Sequence, residues 1–325
     1  MAKIRRPGPE DPLSGRATNG GEGYRARVAS HAVEVSEGRL WTRCGVSSEV
    51  APLRAVMLAV PGAELDFPDP PDRWLMLERV DVDAMRRETE AIAASMRAHG
   101  VHVILHRPAT PPPPNFLFMR DLFLMTPAGA VVGRMGAEQR AGEERHAQLA
   151  LASAGIPVVA AVHGSGTFEG ADALWLDAKT VLVGVGRRTN REGYAQVRRV
   201  LASQGVEALA VTLPKGVQHL LGVVNLIDHD LAAVNAERLT RGIRGALERR
   251  GIRLIALEPS HETRWGRAMN FVTLRPRHVL MPAGAPEVRA TLVRAGVVCE
   301  EVGVDQYLRA AGGLGCLTGV LHRGA

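Results

Sequence analysis

One pattern recurs four times along this chain and limits the folds open to it. Two short apolar runs separated by a tight turn are followed by a helix-like stretch and a further apolar run. The pattern starts at residues 122–133, 173–184, 224–234 and 271–281. A spacing of about 50 residues belongs to propellers and stacked arrays rather than to one wound sheet. A polar residue stands just before each hairpin: Asp121, then Glu169 with Asp172, then His219, then Asn270, with Cys316 near the C-terminus. If the units surround a common axis, residues at one point of every unit meet at the centre.

The remaining segments fit the same unit. Residues 53–60 read as a buried strand, residues 81–99 as a helix closed by Gly100, and residues 101–106 as a second strand. Later helices are expected at 141–154, 191–204, 236–250 and 285–295, each closed by a nearby glycine. Strands are expected at 156–162, 206–213, 252–257 and 297–302. The unit is therefore ββαβ, and the segment 53–106 lacks only its first strand. Residues 316–322 read as a lone strand that would supply it and close the ring, leaving no long sheet edge exposed. The fold class is accordingly α/β, a five-bladed αβ propeller. A doubly wound sheet is the competing architecture, but hairpins before every helix are unusual in a βαβ chain.

Residues 1–35 are rich in Gly, Pro and charge without a sustained period, so they are expected to be largely disordered or draped on the surface. Residues 36–325 then form a single catalytic domain. A chain of 325 residues that is 46% hydrophobic can bury a substantial core. Three scattered cysteines make no disulfide framework and point to a reducing, cytoplasmic setting. Neither a signal peptide nor a membrane span is expected. A net charge of +6 and a pI of about 9.8 raise the question of nucleic acid. The arginines, however, are dispersed among acids, and 4% aromatic content leaves little for base stacking, so no nucleic-acid partner is expected.

Several residues could carry chemistry. Cys316 stands where a Gly-rich loop meets the last strand, and glycines there let a ligand approach the backbone closely. His219 could act as general acid and base, and Glu169 could orient it. Asp121 lies in an apolar run, where a buried acid needs a partner. Arg120 beside it is one candidate and a cationic ligand the other. Arg187 or Arg188 could clamp a carboxylate. The glycines at 184 and 186 lack the endings of a P-loop or dinucleotide fingerprint, which argues against a nucleotide. His99, His102 and His106 cluster in sequence without matching ligands, so no metal site is expected.

Five motifs in order then resemble a known family. They are Phe-Met-Arg-Asp ending at Asp121, Phe-Glu-Gly-Ala-Asp from Phe168, Arg-Arg-Thr-Asn from Arg187, Pro-Lys-Gly with His219-Leu220, and Gly-Gly-Leu-Gly-Cys-Leu-Thr from Gly312. Together they resemble the guanidino-group-modifying (pentein) superfamily of arginine deiminases, dimethylarginine dimethylaminohydrolases and amidinotransferases. The resemblance implies a five-bladed αβ propeller with Cys316 as nucleophile, His219 as acid–base and Glu169 as its partner. It further implies Asp121 as the carboxylate that holds the guanidinium, with Arg188, Asp172 and Arg187 as further substrate-side candidates. The expected activity is hydrolysis of the guanidino group of arginine or an N-substituted derivative through an amidino-thioether. The alternative is amidino transfer to an amine acceptor. No organic cofactor is implied, and a homo-oligomer is allowed. Leu221 departs from the His-x-Asp pattern of deiminases and amidinotransferases, which leans towards a substituted guanidine.

Overall fold

Short apolar strands joined by two-residue turns can only fold back on themselves, and this local constraint repeats around the molecule. In the computed structural model, which describes residues 15–324, helix α1 (His31–Glu37) precedes strand β1 (Leu53–Ala59), helix α2 (Val82–Ala98) and strand β2 (His102–His106). A helical turn, α3 (Met119–Leu122), leads into the hairpin β3 (Phe123–Thr126) and β4 (Gly129–Val132), then α4 (Glu143–Ser153) and β5 (Val158–Ala161). The next unit is β6 (Ala173–Asp177), β7 (Thr180–Val185), α5 (Arg191–Ser203) and β8 (Glu207–Thr212). It is followed by β9 (Val224–Asp228), β10 (Leu231–Asn235), α6 (Arg241–Glu248) and β11 (Arg253–Leu257). After α7 (His261–Arg264) come β12 (Val272–Arg275), β13 (His278–Pro282), α8 (Pro286–Arg294) and β14 (Val298–Val302). The chain finishes with α9 (Asp305–Arg309), α10 (Leu314–Leu317) and β15 (Gly319–Arg323).

These strands form five separate three-stranded sheets. In four of them an antiparallel hairpin is extended by a third strand that runs parallel to its neighbour, with a helix in the crossover. The fifth sheet has the order β15-β1-β2, with Leu53 opposite Arg323 and Met57 opposite Gly319. The last strand thus completes the blade that β1 and β2 begin. The molecule is a five-bladed αβ propeller of ββαβ units, and the doubly wound alternative fails because no sheet among the described residues exceeds three strands.

Burial orders each blade from the inside out. Strands β3 and β4 are wholly buried, whereas the third strands β5, β11 and β14 are partly exposed. Inner strands of neighbouring blades touch, β15 with β3 and β9 with β12. Helix α2 shows how a helix docks on its sheet. Asp81 caps it by accepting from the Ala84 amide, and Met85, Ile92, Ala93 and Met96 bury one stripe. The turns after the helices pass through left-handed glycines, at φ of 70° for Gly155 and 80° for Gly296, where a Cβ would be strained.

Two expectations need adjustment. Residues 316–322 are not one strand: α10 carries Cys316 and the strand begins at Gly319, so the thiol sits on a helical turn. Residues 15–30 are largely exposed, but His31–Glu37 forms a helix that buries Val35; residues 1–14 lie outside the described residues. Residues 44–50 join the core, and the Gly45 amide donates to the Leu321 carbonyl, lengthening the closing sheet. No helix among the described residues is long and apolar enough to cross a membrane.

Candidate active site

The five blades each present a short turn just before the inner strand, and these turns converge. Asp121 lies on α3 ahead of β3, while Glu169 and Asp172 flank a 3-10 turn ahead of β6. His219 opens the turn ahead of β9, Asn270 precedes β12, and Cys316 precedes β15. Asp121, His219, Asn270 and Cys316 line one cavity of about 70 Å³.

His219 Nε2 lies 2.6 Å from Glu169 Oε2, a short charge-assisted hydrogen bond, and its Nδ1 lies 3.9 Å from Asp121 Oδ1. Glu169 is completely buried and heavily engaged. Its Oε1 accepts from the Gly136 amide at 3.0 Å and from Arg188 at 3.2 Å, while Oε2 also accepts from Arg140 at 3.2 Å. Burial pushes this carboxyl up, but Arg140, His219 and Arg188 outweigh it and hold the pKa well below the ordinary range. Burial likewise opposes the charged form of His219, yet Asp121 and Glu169 raise it to about 9.

Asp121 is 2% exposed and half satisfied. Its Oδ2 accepts from Arg140 at 2.7 Å, whereas its Oδ1 has no hydrogen-bond partner. A buried carboxylate oxygen left unpaired is costly, and Asp121 lines a cavity in which a cationic ligand could bind beside it. Asn270 grips Cys316 at two points: its amide nitrogen donates to Cys316 Sγ at 3.3 Å and its Oδ1 accepts from the Cys316 amide at 3.0 Å. Burial and then Asp121 push the Cys316 thiol up, with Arg267, the Gly313 amide and Asn270 pulling the other way.

Placement of the remaining candidates varies. Arg188 is buried in the cavity wall against Glu169, but Arg187 is exposed and does not line the cavity. Asp172 lies behind the wall, where it accepts from Thr189 at 2.7 Å and from the Leu220 amide at 3.0 Å. It fixes the turn that carries His219 rather than facing the cavity. Burial raises its pKa to about 7. Arg120 does not partner Asp121; it reaches Glu49 at 3.0 Å. The partner is Arg140, which is 1% exposed and also bonds Glu143 through two nitrogens. Arg140 carries no sequence signal, standing in an ordinary polar stretch 19 residues beyond Asp121. Leu221 lines the cavity beside His219. Asp121, Glu169 and His219 have ligand atoms within 4.8 Å of one another. A metal ion there would face two arginines already on those oxygens, so the donor set suits hydrogen bonding better.

The arginine deiminase family model matches residues 75–241, just over half of the chain, including Asp121, Glu169, Arg188 and His219. The chain belongs to the arginine deiminase family. With it, this protein is a guanidino-group-modifying enzyme. It is 28% identical over 205 residues to an N(G),N(G)-dimethylarginine dimethylaminohydrolase of Pseudomonas aeruginosa, covering 63% of this chain and 76% of that one. It is 31% identical over 207 residues to an uncharacterized protein of Aeropyrum pernix, covering 63% and 72%. Among solved structures it resembles a mutant of the Pseudomonas enzyme complexed with citrulline, with a TM-score of 0.68 at 24% identity over 82% of this chain and 98% of that one. SxtG, an amidinotransferase from Microseira wollei, shares the fold with a TM-score of 0.66 at 15% identity, over 86% and 97%. The same fold is thus found in a dimethylarginine dimethylaminohydrolase and in an amidinotransferase.

Proposed function

We propose that this member of the arginine deiminase family is a cysteine-dependent hydrolase of the guanidino group of arginine or an N-substituted arginine, working through a covalent intermediate on Cys316. The observation that carries this reading is the convergence on one small cavity of Cys316, His219 and Asp121, whose buried Oδ1 is unpaired, with Glu169 bonded to His219 from behind the wall. A guanidinium supplies the missing donors to that oxygen in a planar geometry. Its positive charge offsets Asp121 and lowers the thiol pKa that Asp121 raises, so binding would generate the nucleophile.

The steps follow from these groups. Thiolate adds to the guanidinium carbon, and the C–N bond then breaks with its electron pair leaving on the amine, which takes the proton of the His219 imidazolium. An amidino-thioether remains on Cys316. Water attacks it while neutral His219 accepts a proton. Collapse expels thiolate, and a second proton goes to solvent as the ureido product forms. Glu169 holds the His219 ring in place throughout, whether protonated or neutral.

Arg188, Arg238 and Arg267 all line the cavity, and the last two have no ion-pair partner among the described residues. They favour a substrate whose far end is anionic, such as an amino-acid carboxylate. Leu221 supplies no second acid for the guanidinium, which favours a substituted far nitrogen.

Incubation with arginine and N-methylated arginines, with and without added amines, tests the proposal by product analysis and intact-protein mass. Ammonia or alkylamine release with an amidino adduct on Cys316 is expected without any acceptor, and Cys316→Ser is expected to remain folded but lose turnover. Turnover only with an added amine would make the enzyme an amidinotransferase. Undiminished activity of Cys316→Ser would overturn the covalent mechanism.

A further inference from the structure

Away from the central cavity, the histidine that the sequence groups with His102 and His106 finds different company. His99, at the C-terminal end of α2, points to the blade of β12, β13 and β14. Its Nε2 lies 2.8 Å from Glu300 Oε2 on β14, and His278 Nε2 at the start of β13 lies 2.6 Å from Glu300 Oε1. The two imidazole rings meet edge to face with centroids 5.1 Å apart. We propose that His99, His278 and Glu300 form a binding site for a zinc-type divalent cation on the propeller rim, separate from the catalytic cavity.

The donor set is the first argument. Two imidazoles and one carboxylate select zinc, cobalt or nickel over magnesium or calcium, which prefer oxygen alone. Geometry is the second. The three ligand atoms lie within 4.8 Å of one another, and a tetrahedral ion with bonds of about 2.0–2.2 Å needs them roughly 3.3 Å apart, a change within reach of side-chain rotation. Sheet register fixes two of the ligands. His278 pairs with Val298, two residues before Glu300, so both side chains stand on the same face of adjacent strands.

Glu300 has no arginine or lysine partner among the described residues, so no fixed cation competes for the site. His278 is 6% exposed and its Nδ1 has no partner, so only Glu300 governs the tautomer. The proton can move to Nδ1 and free the Nε2 lone pair. His99 and Glu300 are partly open, leaving an entry path and a place for water as fourth ligand. The bound ion would tie α2 of the closing blade to the sheet beside it.

Metal-free full-length protein in the Cys316→Ser background keeps the catalytic thiol from competing for metal. Titration with Co²⁺ and with Zn²⁺ is expected to give one equivalent bound with micromolar or tighter affinity, a tetrahedral cobalt d–d band without thiolate charge transfer, and a rise in Tm. His99→Gln and Glu300→Gln, both at partly exposed positions, are each expected to weaken binding at least tenfold while the folded protein persists. In the Cys316 protein, the same two variants are expected to turn over substrate at the parent rate. Binding weaker than about 100 µM, or stoichiometry and spectrum unchanged in both variants, would overturn the site and leave a hydrogen-bonded triad only.

Discussion

At His219 two effects oppose each other. Removal from water favours the neutral ring, while the charges of Asp121 and Glu169 favour the imidazolium and win, placing the pKa near 9. The ring is therefore protonated at neutral pH, as the proposed proton donor to a departing amine needs to be. Since the acid form is lost as pH rises, kcat/KM is expected to fall above about pH 9. Glu169→Gln removes the anion bonded to Nε2, so that alkaline limb should move to lower pH and kcat drop by about 10²–10⁴-fold. A pH–rate profile of both proteins checks this, and an unmoved limb would assign the titration elsewhere. Legibility at this scale was uneven. Asp121, Glu169, His219 and Cys316 could be read from sequence because each recurs at one point of its unit. Arg140 could not, since an arginine in a polar loop looks like solvated surface until folding buries it against Asp121 and Glu143.

At the scale of elements, the Arg-Arg-Thr-Asn motif shows how a helix start is fastened to the site. Asn190 caps α5 by accepting from the Gly193 amide at 2.8 Å, and its Oδ1 also accepts from the Thr167 amide at 3.1 Å. Thr189 bonds both Asp172 and the Glu169 amide, so one turn holds the two acids. This close seating explains Gly193: a Cβ there would come within 1.9 Å of the Thr167 carbonyl oxygen, a backbone atom that cannot step aside. Gly193→Ala is expected to cost about 1–3 kcal/mol or more and to reduce activity by shifting Glu169. Gly242→Ala in α6 meets nothing nearer than 3.9 Å and should be neutral or stabilising by no more than about 1 kcal/mol. Paired thermal melts and rates decide it, and equal behaviour of the two variants would contradict the packing argument. The helices and hairpins were legible within a few residues, because period and turn chemistry are local. The helical turns carrying Asp121 and Cys316 were not, since four-residue helices leave no periodic trace.

Across the whole molecule, ring closure depends on one C-terminal strand. β15 pairs antiparallel with β1 and buries Val320 and Leu321 between the first blade and its neighbours. Each such side chain contributes about 1.5–3 kcal/mol, and the lost ladder would bare the β1 edge. Removing residues 319–325 is therefore expected to take away much of the roughly 5–15 kcal/mol that holds a domain together. Circular dichroism should show a broadened melt at a Tm lowered by ten degrees or more, with dye binding to the exposed core. A cooperative melt near the parental Tm would mean that closure is dispensable.

The repeat unit, the number of blades and four of the central polar groups were fixed by sequence alone. They rest on periodicity, turn chemistry and recurrence, and these act over a few residues or repeat at constant intervals. Which partners those groups take was decided only by tertiary structure. Arg140 on Asp121, Asn270 on Cys316 and Glu300 between His99 and His278 join positions from different blades or distant turns. Such contacts carry no sequence period. They come into being when the chain packs and burial leaves each polar group to be satisfied by whatever group lies beside it in space.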